Sequence, residues 1–134
     1  MPTSADLVVV VAETAFDPSQ LGAQLGCRPE RLETVAAAVG LLIEQVRGPG
    51  RLGVLLTENG MLALCAANRH RGVRAALGAS PELARQAVRA LGANLLVVDP
   101  AGRTLDELAG TLRAFTEDGP RECPSQHRRT LEEP

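Results

Sequence analysis

Aromatic side chains are almost missing from this chain: Phe16 and Phe115 are its only two, and it has no Trp or Tyr among 134 residues. That removes the stacking platforms on which single-stranded nucleic acids are held, and it leaves Leu, Val and Ala to fill any core. Lysine is absent as well, so all 14 basic residues are Arg. Guanidinium is a planar bidentate donor suited to phosphate or carboxylate, although a GC-rich coding sequence gives the same usage with no recognition role. The arginines are scattered among 16 acids for a net charge of −2, with no basic face or block. Nucleic acid is therefore not an expected partner.

No apolar run approaches the roughly 18 residues of a membrane span, so no membrane partner is expected. The run Leu7 to Ala12 follows Asp6, has no basic flank and is short, which makes it a buried strand rather than a signal peptide. A cytoplasmic protein is the expectation. Cys27, Cys65 and Cys123 are odd in number and share no C-x-x-C spacing, which argues against a disulfide framework and against a zinc site. Neither a metal nor a cofactor is expected.

What is present is a hydrophobic content of 45%, enough for one core of ordinary domain size. Residues 1–115 read as that single domain. Leu7 to Val11 is a continuous apolar run, Leu followed by four β-branched Val, the pattern of a strand covered on both faces. Asp17-Pro18-Ser19 starts a short helix that ends at Gly26. Leu32, Val35, Ala36, Val39, Leu42, Ile43 and Val46 recur at helical spacing, predicting a helix from near Pro29 to Gly48. Ser80-Pro81-Glu82 caps a further helix stopped by Gly92, and Asn94 to Val98 is another buried strand. Thr104, with Glu107 three residues later, caps a last helix through Phe115. The tail 116–134 holds three prolines and many charges, and is expected to be irregular or docked on a partner subunit. Strands alternating with helices give a three-layer α/β/α sandwich with a mostly parallel, Rossmann-like sheet of about four strands.

The chain is organised around Arg51 to Ala76, RLGVLLTENGMLALCAANRHRGVRAA, which predicts strand, loop, helix and strand. The loop Thr57-Glu58-Asn59-Gly60 falls at the carboxyl end of a strand, where ligands bind in doubly wound α/β proteins. Ala66-Ala67-Asn68-Arg69 followed by Gly72-Val73-Arg74-Ala75 resembles the AANK and GIRA segments of the ribose-5-phosphate isomerase B and galactose-6-phosphate isomerase family. In that family they follow a CGTGxG or GGSGxG loop, here TENGML. Ser80 to Arg85, Ala93 to Leu96 and Thr104 to Glu107 also fall in family order, so the resemblance runs from about Glu30 to Phe115.

The resemblance implies a dimer whose sites bind sugar phosphates and are shared between subunits. It also places the family's functional positions. The catalytic cysteine of one branch falls on Thr57, a hydroxyl without useful basicity near neutral pH. Two loop glycines whose amides approach the enediolate fall on Glu58 and Leu62, with Gly60 kept. A carboxylate at such a position repels the anionic intermediate. The glutamate base of the other branch falls on Ala63, the ring-opening histidine on Ala90, and an Asp-His pair after the first strand on Glu13-Thr14. Among phosphate-binding arginines, Arg103 lies two residues past the family position at Ala101, and Arg128 and Arg129 lie in a similar tail. The segment before Glu30 is about half the family's length by helix and strand rise, which implies a shortened first helix and a missing second strand.

Thr57, Glu58 and Cys65 are the catalytic candidates; Asn59, Gly60, Asn68, Arg74, Arg103, Arg128 and Arg129 are the ligand-binding candidates. Each has a plainer role. Cys65 lies inside a helix, where core packing is expected. Glu58 and Asn59 favour a helix start. Asn68 caps a helix end, and Arg74 pairs with an acid. The loop favours a family member without the usual isomerase activity, a structural or regulatory subunit that forms a homodimer or pairs with an active relative. The alternative is an aldose-ketose isomerase of a pentose or hexose phosphate with Glu58 or Cys65 as the base. A small-ligand or nucleotide sensor is a third reading, resting on fold analogy alone.

Overall fold

The structure, a computed structural model, describes residues 6–48 and 50–132. Five parallel strands form one sheet in the order β2-β1-β3-β5-β4. They are β1 (Asp6–Val11), β2 (Glu30–Arg31), β3 (Arg51–Leu56), β4 (Ala75–Leu77) and β5 (Leu95–Val98). The helices are α1 (Ser19–Leu25), α2 (Val35–Val46), α3 (Gly60–Asn68), α4 (Pro81–Leu91), α5 (Leu105–Asp118) and α6 (Arg128–Glu132), the last preceded by a 3-10 turn over Ser125–His127. The expected three-layer parallel architecture stands, with five strands instead of about four.

Alternating strand residues explain the layers. Val9, Val11, Leu52, Val54, Leu56, Leu96 and Val98 face the side covered by α1, α4 and α5. Val10, Ala12, Leu55, Leu95 and Val97 face α2 and α3. Phe115 is fully buried in the first cluster, and apart from Cys123 the other buried apolar side chains are aliphatic.

The fifth strand is the second one, which the length comparison had implied was missing. Glu30 and Arg31 pair with Val10 and Val11. Arg31 secures the stub by donating to the carbonyls of Thr14, at 2.8 Å, and Phe16. This pairing holds residues 30–31 extended, so α2 begins at Val35 rather than near Pro29, with Thr34 as its cap accepting from the Ala37 amide at 3.1 Å.

The tail contacts its own domain. Helix α5 continues to Asp118, past the proposed boundary at residue 115, and the segment beyond folds back on its own domain. There Cys123 is buried and Glu132 pairs with Arg74 at 2.6 Å.

Candidate functional site

Chain order along the sheet reverses between β1 and β3, so the loops leaving their carboxyl ends lie side by side at a topological switch point. Loop Thr57–Asn59 leaves β3, and Glu13 and Thr14 leave β1. The Thr57 amide donates to the Val98 carbonyl at 3.0 Å, continuing the pairing of β3 with β5 by one residue. Its side chain is fully buried, and its hydroxyl accepts from the Asn59 amide at 3.1 Å.

Around Thr57 the polar groups are bound to one another. Thr14 Oγ1 donates to Glu58 Oε2 at 2.6 Å. Asn59 Nδ2 donates to Glu13 Oε1 at 3.2 Å, and Glu13 Oε2 accepts from the Val35 amide at 2.7 Å, at the start of α2. Glu13 has a positive φ of 54°, a region where a side chain costs energy outside glycine and asparagine. The backbone bond from Val35, followed by the bond from Asn59, holds the Glu13 carboxyl below its ordinary value of 4.5, so it carries charge at neutral pH. Two carboxylates thus stand at the switch point, each held by a hydrogen bond from a neighbouring loop.

Asn59 is the N-cap of α3, but its side chain makes no capping bond because it is turned to Glu13. The first-turn amides of α3 consequently have no side-chain cap. Gly60 opens that helix; a Cβ there would meet Leu77 and Val97 at 3.6 Å, ordinary contact, so the fold itself does not require the glycine.

Arg103 is the one arginine candidate at this edge of the sheet. It donates from Nε to the Asp99 carbonyl at 2.9 Å and from Nη1 to the Ala79 carbonyl at 2.6 Å, joining the loops after β5 and β4. The other candidates lie elsewhere. Asn68 ends α3 at the opposite edge, where its amide donates to the Ala75 carbonyl at 3.0 Å and accepts from the Ala75 amide at 2.8 Å. Arg74 precedes β4 and donates to the Gly92 carbonyl at 2.9 Å and to Glu132. Arg128 and Arg129 are exposed on α6 at that same far edge. Within one chain none of these four joins the loop.

Cys65 corrects another expectation: it is exposed on α3 rather than packed in the core. Ala63 is fully buried beneath the same helix, while Ala90 is exposed near the end of α4, away from the loop. The resemblance put Glu13 at a family position, but sequence reasoning left it out of the site candidates and gave no sign of its contacts with Asn59 and Val35, which bridge three elements. It also missed Asn94, whose amide donates to Gly72 and accepts from the Arg74 amide, both at 2.8 Å. Neither contact leaves a local sequence signal. Among the described residues, no cluster of three or more metal-binding side chains occurs, and no helix is long and apolar enough to cross a membrane.

The fold is similar to that of solved ribose-5-phosphate isomerases. The enzyme of Thermotoga maritima is 22% identical with a TM-score of 0.77, over 96% of this chain and 99% of that one. The isomerase B of Anaplasma phagocytophilum is 22% identical with a TM-score of 0.68, over 85% and 88%. That of Mycoplasma genitalium, solved with bound ribulose-5-phosphate, is 18% identical with a TM-score of 0.68, over 96% and 93%. No curated protein sequence matches the chain. A family profile described as Ribose/Galactose Isomerase matches residues 5–132, and the chain belongs to that family.

Proposed function

We propose that this protein is a member of the sugar-phosphate isomerase family that lacks the usual isomerase activity and serves as a non-catalytic structural or regulatory subunit. The observation that carries this reading is the bonded loop. At the position where the resemblance puts the catalytic thiol, Thr57 is buried with its hydroxyl occupied, and the next residue is a carboxylate held by Thr14. Isomerisation through an enediolate needs a base to move a proton between carbons and donors for the developing oxyanion, each worth orders of magnitude in rate. Glu58 puts negative charge where the resemblance places one of the loop glycines whose amides approach the enediolate.

The alternative, an active isomerase using Glu58 or Cys65 as the base, is weaker on geometry. Glu58 is engaged by Thr14, and Cys65 sits five residues into α3 from Gly60, about 7 Å along the helix from its start. A homodimer, or a pair with an active relative, fits the exposed apolar side chains Met61, Leu62 and Leu77 beside the loop. A cytoplasmic location belongs to the same reading.

Thermal-shift titration with ribose 5-phosphate, ribulose 5-phosphate, allose 6-phosphate and free phosphate tests it, since binding to the folded state raises apparent stability by mass action. No shift with any sugar phosphate is the expected result for an emptied catalytic site. A shift with a sugar phosphate that is absent with phosphate alone, and is abolished in Glu58→Gln, would favour the isomerase reading.

A further inference from the structure

Beyond α5 the chain crosses the amino end of the sheet as a narrow segment, residues 119–132, and meets three strands in turn. Gly119 lies against Leu52 at the start of β3, where a Cβ would come within 2.9 Å of the leucine side chain. Glu122 lies over Gly92, ahead of β5, so closely that a Cβ there would clash with its carbonyl oxygen. Arg74, ahead of β4, donates to the Arg121 carbonyl at 3.4 Å and to the Glu132 carboxylate at 2.6 Å. Cys123 is buried within this crossing.

The two ends of this segment are held differently. At its start Asp118 closes α5 and pairs with Arg89 on α4 at 2.8 Å, so the last turn of α5 belongs to the domain. At its far end neither the turn Ser125–His127 nor α6 buries a residue. A helix of five residues is too short to stand in water by itself. The Glu132 carboxylate also lies at its C-terminal end, where the helix dipole disfavours negative charge. Cavities of about 220 Å³ and 400 Å³ flank Glu132, so close packing does not fix it there either. Arg74 does. That arginine is itself part of the domain: its amide donates to Asn94 Oδ1 at 2.8 Å and its Nε to the Gly92 carbonyl at 2.9 Å. The socket therefore keeps its form whether or not Glu132 occupies it.

We propose that residues 119–132 are a strap that opens as a unit while the α/β domain stays folded, with Glu132 on Arg74 as its latch and Gly119 as its hinge. Neither core cluster contains a strap residue, so opening breaks no part of the core. Local openings draw on such weakly packed segments. Closed, the strap neutralises the Arg74 guanidinium, whose side chain is only 10% exposed, and covers Cys123. Open, it returns both to water. The device works at the amino end of the sheet, away from the loop, and is independent of whether the loop catalyses anything.

Alkylation of the native full chain with iodoacetamide, followed cysteine by cysteine by mass spectrometry, tests it. Cys123 reports opening, and the exposed Cys65 reports reagent reactivity in the same sample. The Cys123 rate is expected to lie at least about tenfold below the Cys65 rate. It should rise with low urea far less steeply than global unfolding does, because opening the strap exposes little surface. Glu132→Gln should raise the Cys123 rate at least about threefold with Cys65 unchanged. Glu117→Gln, which removes an exposed carboxylate from the last turn of α5, should leave it within about twofold. Arg74 is left intact because it also secures the Gly92 carbonyl. The proposal is overturned if Cys123 reacts as fast as Cys65, or if its rate tracks global unfolding in urea. It is equally overturned if Glu132→Gln leaves the rate at the parent's value, or if Glu117→Gln raises it as much.

Discussion

Asn68 shows how a residue can be recognisable in sequence while its purpose stays hidden. The AAN stretch is legible as a family segment, but the reason for the amide is its two-way bond with both backbone groups of Ala75, seven residues on. Those groups face away from β5 on an edge strand, so the side chain takes the place of a missing neighbouring strand. Asn68→Ala removes both bonds and should lower stability by about 1–3 kcal/mol, read as a drop in the urea midpoint at unchanged slope; an unchanged midpoint would mean that water replaces the amide without loss. Glu13 carries a pH dependence. Its carboxyl is held below the ordinary value by Val35 and Asn59, so the stabilisation is complete above about pH 4.5 and is lost as pH falls through the lowered value. Asp17 and Glu107 are lowered in the same direction, by Ser19 and Thr104 respectively. Urea unfolding of Glu13→Gln should therefore lose stability less steeply below that pH than the parent while keeping some acid sensitivity, and equal steepness would contradict the bonding described for the loop.

At the scale of elements, local chemistry was readable where local chemistry decides. Ser80 and Thr104 were both expected as caps, and their hydroxyls accept from Leu83 at 3.2 Å and Glu107 at 3.1 Å. The Glu107 carboxylate in turn accepts from the Thr104 amide at 2.8 Å, completing the capping box. Strand β2 was not readable, because two residues carry no periodicity and its pairing depends on Arg31 reaching across to the β1 loop. Helix α3 concealed Cys65 for a different reason: its residues are apolar on every face, so spacing gives no phase and cannot separate the core side from the open side. The tail's anchors on its own domain are distant in sequence and leave no local signal. Arg74, only 10% exposed, holds Glu132 and the Gly92 carbonyl, and a Cβ at Gly92, where φ is 62°, would come within 2.4 Å of the Glu122 carbonyl oxygen. Arg74→Ala should release the tail, so trypsin cuts at Arg121, Arg128 and Arg129 faster than in the parent while the domain stays folded. Equal cleavage rates would show that the ion pair does not hold it.

At the scale of the whole molecule, most of the large apolar side chains left exposed among the described residues lie beside the loop, Leu83 on α4 being the other. Met61 is 82% exposed, Leu62 52% and Leu77 51%, all close to the loop. Burying such side chains is favourable by about 1.5–3 kcal/mol each, which supports self-association through this face. Light scattering should report a dimer at micromolar concentration, and Met61→Glu/Leu62→Glu should shift it to monomer without unfolding. A parent monomer at that concentration would remove the interface from the account. The parallel α/β frame, β2 apart, and the position of the loop on it were legible because hydrophobic pattern and the alternation of strands and helices determine both; the chemistry of the loop was not, because Glu13, Thr14, Glu58 and Asn59 meet only after folding. The central claim is that these groups hold the loop in a form unable to move a proton between sugar carbons. Proton NMR of ribose 5-phosphate in D2O with the purified protein tests it at that step. The account predicts solvent deuterium entering the sugar no faster than in protein-free buffer, whereas incorporation that depends on the protein and disappears in Glu58→Gln would contradict it.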